Sequence, residues 1–216
     1  MRLPSLRTAS TLNLLLGLWN AGEILVLSLY LQQILGDSPL VTGLAIAPQG
    51  VIGFTAGAFG ARLGARMGIR AMLVLCGATA TAGFLVLTQL PAGGHCSLVL
   101  AAVMLVGFGT AGTTFGTMVT ATGGVAEDDQ GVVGDVINTS RQIGAAVGAA
   151  LLPAVALAVG HGGSTVGVSG ARAAMLTGAL VAALATLVAW RDHRGGGKRA
   201  AAQAAEGEVV AVIGAG

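Results

Sequence analysis

The sequence predicts an all-α integral membrane protein of six transmembrane helices. Three observations carry that reading: scarcity of charge, long unbroken apolar runs, and the placement of the few charges between those runs. Of the 216 residues, 54% are hydrophobic and 9% charged, against about 25% charged in a soluble domain. The mean hydropathy is +0.83. Such a chain has too little polar surface to coat a globule in water, so the lipid bilayer is its natural surrounding and its first partner. Membrane strands would alternate polar and apolar residues, and these runs do not, which leaves helices as the spanning element.

A span needs about 20 mostly apolar residues to cross about 30 Å. Helix A is expected over 11–35, B over 40–63, C over 71–90, D over 97–121, E over 135–159 and F over 170–190. The breaks have turn chemistry. Gly36-Asp37-Ser38-Pro39 separates A from B, Pro91-Ala92-Gly93-Gly94 ends C, and His161-Gly162-Gly163-Ser164 separates E from F. Glu127-Asp128-Asp129-Gln130 reads as a loop too charged for the bilayer interior. Arg2 and Arg7 precede helix A as in a signal peptide, but the run continues without a clear small-residue cleavage site, so it reads as a retained helix. The organisation expected is a cytoplasmic N-terminus over 1–10, a six-helix bundle over 11–190, and a Gly- and Ala-rich disordered cytoplasmic tail over 191–216.

The basic residues set the orientation. With the N-terminus inside, Arg2, Arg7, Arg62, Arg66, Arg70, Arg191, Arg194, Lys198 and Arg199 all fall on the cytoplasmic side, and Arg172 alone falls outside. Both termini are therefore expected in the cytoplasm and the protein in the cell membrane.

Several functions are disfavoured. The basic residues punctuate apolar runs without interleaved aromatics, so nucleic acid is not an expected partner. Cys76 and Cys96 make neither a disulfide framework nor a zinc site, and His95, His161 and His193 lack ligand spacing, so no metal or cofactor is expected. Gly107-Phe108-Gly109-Thr110-Ala111-Gly112 matches a dinucleotide fingerprint but lies inside a predicted span rather than after a strand. Ser169 has no base within a helix to activate it, so an enzyme is not expected.

The informative residues are polar ones inside the helices, which usually face a bundle interior or a wet cavity. Asn13, Asn20, Glu23 and Tyr30 share an arc of about 100° on helix A. Glu23, near mid-span, is the candidate for proton coupling, because a carboxyl in hydrocarbon can hold and release a proton; a neutral acid bonded to a neighbouring helix is the alternative. Thr110, Thr113, Thr114 and Thr117 form one face of helix D, either lining a substrate path or bonding back to their own helix. Gly109, Gly112 and Gly116 form a different face, suited to packing. Asn138, Arg141 and Gln142 on helix E are packing or gating candidates, together with Gly144 and Gly148. The same four-residue glycine spacing occurs at Gly53 and Gly57, Gly60 and Gly64, and Gly112 and Gly116, arguing for close helix packing.

Three stretches carry a resemblance. Tyr30 through Leu40 with Gly43 and Pro48, the glycine- and arginine-rich stretch Gly60, Arg62, Gly64, Arg66, Gly68 and Arg70, and Gly134 through Gly148 together resemble the second half of drug:proton antiporters of the fourteen-helix branch of the major facilitator superfamily. The resemblance covers about residues 10 to 190. It implies half of a major facilitator fold, built as two inverted three-helix repeats, and proton-coupled export of drugs or other small amphipathic compounds. It makes the arginine-rich stretch a cytoplasmic loop motif. It also implies a further partner besides small-molecule substrate and protons: a missing N-terminal half or a second copy. The alternative is a truncated or non-transporting membrane component acting as scaffold or partner subunit.

Overall fold

The computed structural model describes the backbone of residues 3–90, 96–123, 125–160 and 166–214, and side chains within these ranges except 3–5, 56–59, 61, 96, 127–128 and 192–214. The described residues form six helices: α1 (Leu3–Leu29, continued by a π-turn over Tyr30–Ile34), α2 (Pro39–Met67), α3 (Ile69–Leu87), α4 (Cys96–Thr122), α5 (Glu127–Val159) and α6 (Val168–Gly214). Five of them are long and apolar enough to cross a membrane: the stretches Leu6–Ile34, Ile69–Leu87, Ser97–Thr122, Asp129–Val159 and Val168–Arg191. The sequence count was six. The remaining helix, α2, has 29 residues, but its described apolar stretch is Pro39–Thr55.

Some boundaries move for identifiable reasons. α5 begins at Glu127, eight residues before the expected start of helix E, so the acidic run read as a loop is the first turn of a helix. Acidic residues are favoured at that end by the helix dipole. The arginine-rich stretch is not a loop either. Gly60, Arg62, Gly64 and Arg66 lie in the last turns of α2, Arg70 lies in the first turn of α3, and Gly68 alone joins them. Gly68 has φ +83°, a conformation that glycine adopts without steric cost. α6 continues as helix to Gly214, past the expected end at Trp190. The expected breaks at 91–94 and 161–164 lie outside the described residues. The corner at Gly36 (φ +72°) leads into Ser38, whose hydroxyl accepts from Val41 N at 3.4 Å to cap α2 ahead of Pro39.

Glycines set the helix separations. Apolar burial does not favour helix over lipid, so contacts depend on close approach of backbones. A Cβ on Gly144 or Gly148 would overlap the carbonyls of Leu14 and Leu18, and one on Gly17 would overlap the Arg141 carbonyl, so α1 and α5 meet backbone to backbone. The α4 glycines meet α3: Gly109 lies on Ala80 and the Cys76 carbonyl, Gly112 on Cys76 Sγ, and Gly116 on Leu73 and Met72. Gly107 lies on the Gln49 backbone of α2, and Gly170 of α6 on the Ala156 carbonyl of α5. Gly53 has open space around it, and Gly57 lies outside the described side chains. Leu12, Leu16, Trp19, Leu27, Phe84, Leu152 and Met175 are buried in the core between these seams.

Gly144→Ala is expected to cost about 1–3 kcal/mol, the range for an overpacked contact, and to lower the thermal unfolding midpoint in detergent. Gly131→Ala, where nothing lies within 4 Å of the added carbon, is expected to leave that midpoint unchanged or raise it slightly.

Candidate functional site

A groove of about 990 Å³ lies between α1, α2 and α4. From α1 it takes Asn20, Ile24, Ser28 and Gln32, four residues at successive four-residue steps and therefore on one helix face. α4 supplies Thr110, Thr114, Phe115 and Met118, and α2 supplies Thr42, Gln49 and a floor of Gly43, Gly50 and Gly53. The lining is mostly apolar, with a few amides and hydroxyls, the mixture expected of a small-molecule site. None of the lining residues is charged.

Glu23 stands behind this lining. It is fully buried (0% exposed), and its Oε2 accepts from Gln49 Nε2 at 3.2 Å. Its other oxygen, Oε1, has no hydrogen-bond partner, and neither has Gln49 Oε1. Gln49 is itself buried and is the groove residue in contact with the carboxyl.

The remaining residues anticipated from sequence are distributed differently. Of the helix A stripe, Asn20 lines the groove. Asn13 is buried and bonds back to the Ala9 carbonyl at 3.0 Å. Tyr30 is buried at the start of the π-turn, close enough to Arg172 to feel its charge. Of the threonines, Thr110 and Thr114 line the groove. Thr110 Oγ1 accepts from Trp19 Nε1 at 3.1 Å, tying α4 to α1, whereas Thr114 Oγ1 donates to the Thr110 carbonyl at 2.9 Å. Thr113 and Thr117 are buried, and Thr117 Oγ1 donates to the carbonyls of Thr113 and Thr114. Asn138, Arg141 and Gln142 are exposed, and Arg141 Nη2 donates to Asn138 Oδ1 at 3.1 Å. Gly144 and Gly148 lie in the α1–α5 seam. Arg62, Arg66 and Arg70 are exposed around the α2–α3 corner.

Sequence reasoning missed Gln49, Thr42, Ser28 and Gln32. Ser28 and Gln32 were legible as the four-step continuation of Asn20. Gln49 carried a signal too: an amide next to Pro48 within an apolar run.

Apolar helices of spanning length, glycine seams between backbones and an uncharged, mostly apolar groove define a multi-pass membrane protein. The chain belongs to the Major Facilitator Superfamily, whose family model matches residues 3–149, more than half of its length. Family membership points to a transporter rather than an enzyme. The chain is also 37% identical over 139 residues to the puromycin resistance protein pur8 of Streptomyces alboniger. That match takes in 62% of this chain and 27% of the relative, so the chain spans about a quarter of the relative's length.

Thr110→Val removes the acceptor from the Trp19 indole and is expected to cost about 1 kcal/mol, as for one neutral hydrogen bond. In a Trp190→Phe background only Trp19 of the two tryptophans remains, and its emission is expected to move to shorter wavelength. Unchanged emission would show that the indole N–H has another partner.

Proposed function

We propose that the chain is a membrane transporter component, the C-terminal half of a drug:proton antiporter of the fourteen-helix branch, which exports drugs or other small amphipathic compounds. The observation that carries this reading is the pairing of a mostly apolar groove with a buried carboxyl immediately behind it. The groove takes the substrate and Glu23 takes the proton. The relative named for puromycin resistance supports drug export. In this reading α2 is the sixth span. At about 1.5 Å per residue its 29 residues exceed the thickness of the hydrocarbon core. α1–α3 and α4–α6 form two inverted repeats, and the groove lies beside α1 and α4, the first helix of each. The protein lies in the cell membrane with both termini cytoplasmic, in keeping with the arginine distribution.

Alternating access needs one half to rock against another. The proposed partner is an N-terminal half or a second copy, covering the apolar surface of α2, where Leu40, Leu44, Val51 and Phe54 are exposed. The alternative reading is a non-transporting membrane component acting as scaffold or partner subunit.

Dye efflux separates the two. Cells expressing the chain together with a complementary six-helix half are expected to extrude a cationic dye in a proton-gradient-dependent manner. Glu23→Gln is expected to reduce that efflux to background without lowering the amount of protein in the membrane. Unchanged coupled efflux in Glu23→Gln would remove the carboxyl from the coupling role, and absence of efflux with any partner would favour the scaffold reading.

A further inference from the structure

α1 has one open side, and two helices flank it. α2 stands across the groove, and α5 stands across a smaller pocket of about 310 Å³. Ser28 and Gln32 of α1 line both spaces. Added Cβ atoms on Gly43, Gly50 or Gly53 of α2 would meet nothing within 4 Å, whereas the glycines between α1 and α5 lie on carbonyls. At 100° per residue, Leu40, Leu44, Val51 and Arg62 of α2 fall within an arc of about 40°. All four are exposed, and Phe54 beside them is 90% exposed. On α5, Asp135, Ile143, Ala146, Ala150 and Leu157 are exposed and share an arc of about 80°. Ala146 and Ala150 give this face the four-residue spacing of small side chains that lets helices approach closely. It is a different face from the one that Gly144 and Gly148 commit to α1.

The two open faces are complementary in charge. α2 and α4 run in the same direction, since Gly107 of α4 lies on Gln49 and Phe115 of α4 on Gly60. The end of α2 is therefore at the same end of the bundle as the start of α5. α2 carries Arg62 and Arg66 there, and α5 carries Asp129 and Asp135. All four side chains are exposed, and none makes an ion pair or hydrogen bond among the described residues. Within one chain α1 lies between the two faces. Brought together from two chains, they fit in a single antiparallel register. The register that sets Arg62 beside Asp135 also sets Phe54 beside Ile143, Val51 beside Ala146 and Leu40 beside Leu157.

We propose that the partner is a second copy of this chain, related by a two-fold axis along the membrane normal, with α2 of each copy packed on α5 of the other. A two-fold pairing forms both contacts at once, because each copy supplies one basic and one acidic end. Pairing of α2 with α2 would bring arginines together, and pairing of α5 with α5 would bring aspartates together, so like charge opposes both. An exposed ion pair adds little strength. Its role is to select which helices meet, while packing against Ala146 and Ala150 supplies the attraction. The arrangement turns the open sides of two α1 helices toward each other, and the two grooves become one chamber closed off from lipid. The use of that chamber rests on the transport reading, and the second copy is the partner which that reading requires.

The test is oxidative cross-linking of the full chain in liposomes of phosphatidylethanolamine and phosphatidylglycerol, in a Cys76→Ala, Cys96→Ser background. A chain carrying both Val51→Cys and Ala146→Cys is expected to give a disulfide-linked dimer on a denaturing gel. Either cysteine alone is expected to give none, because each faces the other helix of the partner. In the chain with both cysteines, Arg62→Asp alone and Asp135→Arg alone are each expected to weaken association about tenfold, as two attractive contacts become repulsive. Mixing these two variants is expected to restore the dimer, since both contacts of the mixed pair again join opposite charges. Equal helicity of all variants by circular dichroism keeps a folding defect from imitating the result. A dimer from Val51→Cys or Ala146→Cys alone, or a mixture that associates no better than its components, overturns the pairing of α2 with α5. A chain that stays monomeric throughout shows that lipid covers these faces and overturns the second copy. Dye efflux with a complementary half would in that case leave the transport reading standing. Cross-linked dimers that extrude no dye, alone or with such a half, would keep the dimer and overturn the transport reading.

Discussion

In hydrocarbon an apolar side chain gains nothing by exchanging a lipid tail for a neighbouring helix, so a bundle must be held by contacts that lipid cannot imitate. Here those contacts are backbone approaches at glycine. The seam between α1 and α5, where Gly17, Gly144 and Gly148 each face a carbonyl of the other helix, determines which way α1 is turned. With that face committed to α5, the adjoining faces carry Trp19 to Thr110 of α4 and Glu23 to Gln49 of α2. The polar chemistry thus follows from the glycine spacing: α1 has only one rotation that satisfies the seam, and that rotation sends the carboxyl inward.

The architecture was largely legible in the sequence because the bilayer imposes a length and a hydropathy on each span, and both are visible residue by residue. The glycine face of α4 was legible in the same way, with Gly109, Gly112 and Gly116 all lying on α3, whereas the threonines expected on one face divide between the groove (Thr110, Thr114) and buried positions (Thr113, Thr117). The errors came where charge was taken as a sign of irregular structure. Glu127 to Gln130 open a helix, and the arginines of 62–70 decorate the ends of two helices joined at Gly68. Charge excludes a segment from hydrocarbon but does not exclude it from a helix, which can project beyond the membrane.

The site was less legible. A shared arc on a helical wheel places Asn13, Asn20, Glu23 and Tyr30 together, yet their environments differ. Asn13 satisfies itself on Ala9, Tyr30 sits toward Arg172, and only Asn20 borders the groove. A wheel gives direction and is silent about what stands there. Gln49 illustrates the same gap: nothing within its own helix reveals that Gly107 brings α2 close enough for the amide to reach Glu23 across helices.

The wide turn over Tyr30–Ile34 lets adjacent glutamines serve separate ends. Gln32 borders the groove, while Gln33 Oε1 accepts from Val166 N at 3.0 Å, ahead of α6. A π-turn is in effect an α-helix carrying one surplus residue, so it resets the phase of the helix: everything before it keeps one set of facings and everything after it another. Removing a single residue there would let the turn relax to ordinary α geometry and swing the Gly36 corner, and with it the beginning of α2, about 100° around the α1 axis. The glycine seam, lying earlier in the helix, would not feel the change. One codon gained or lost at this point is therefore a means by which such a chain can reshape one mouth of its groove while its bundle stays assembled.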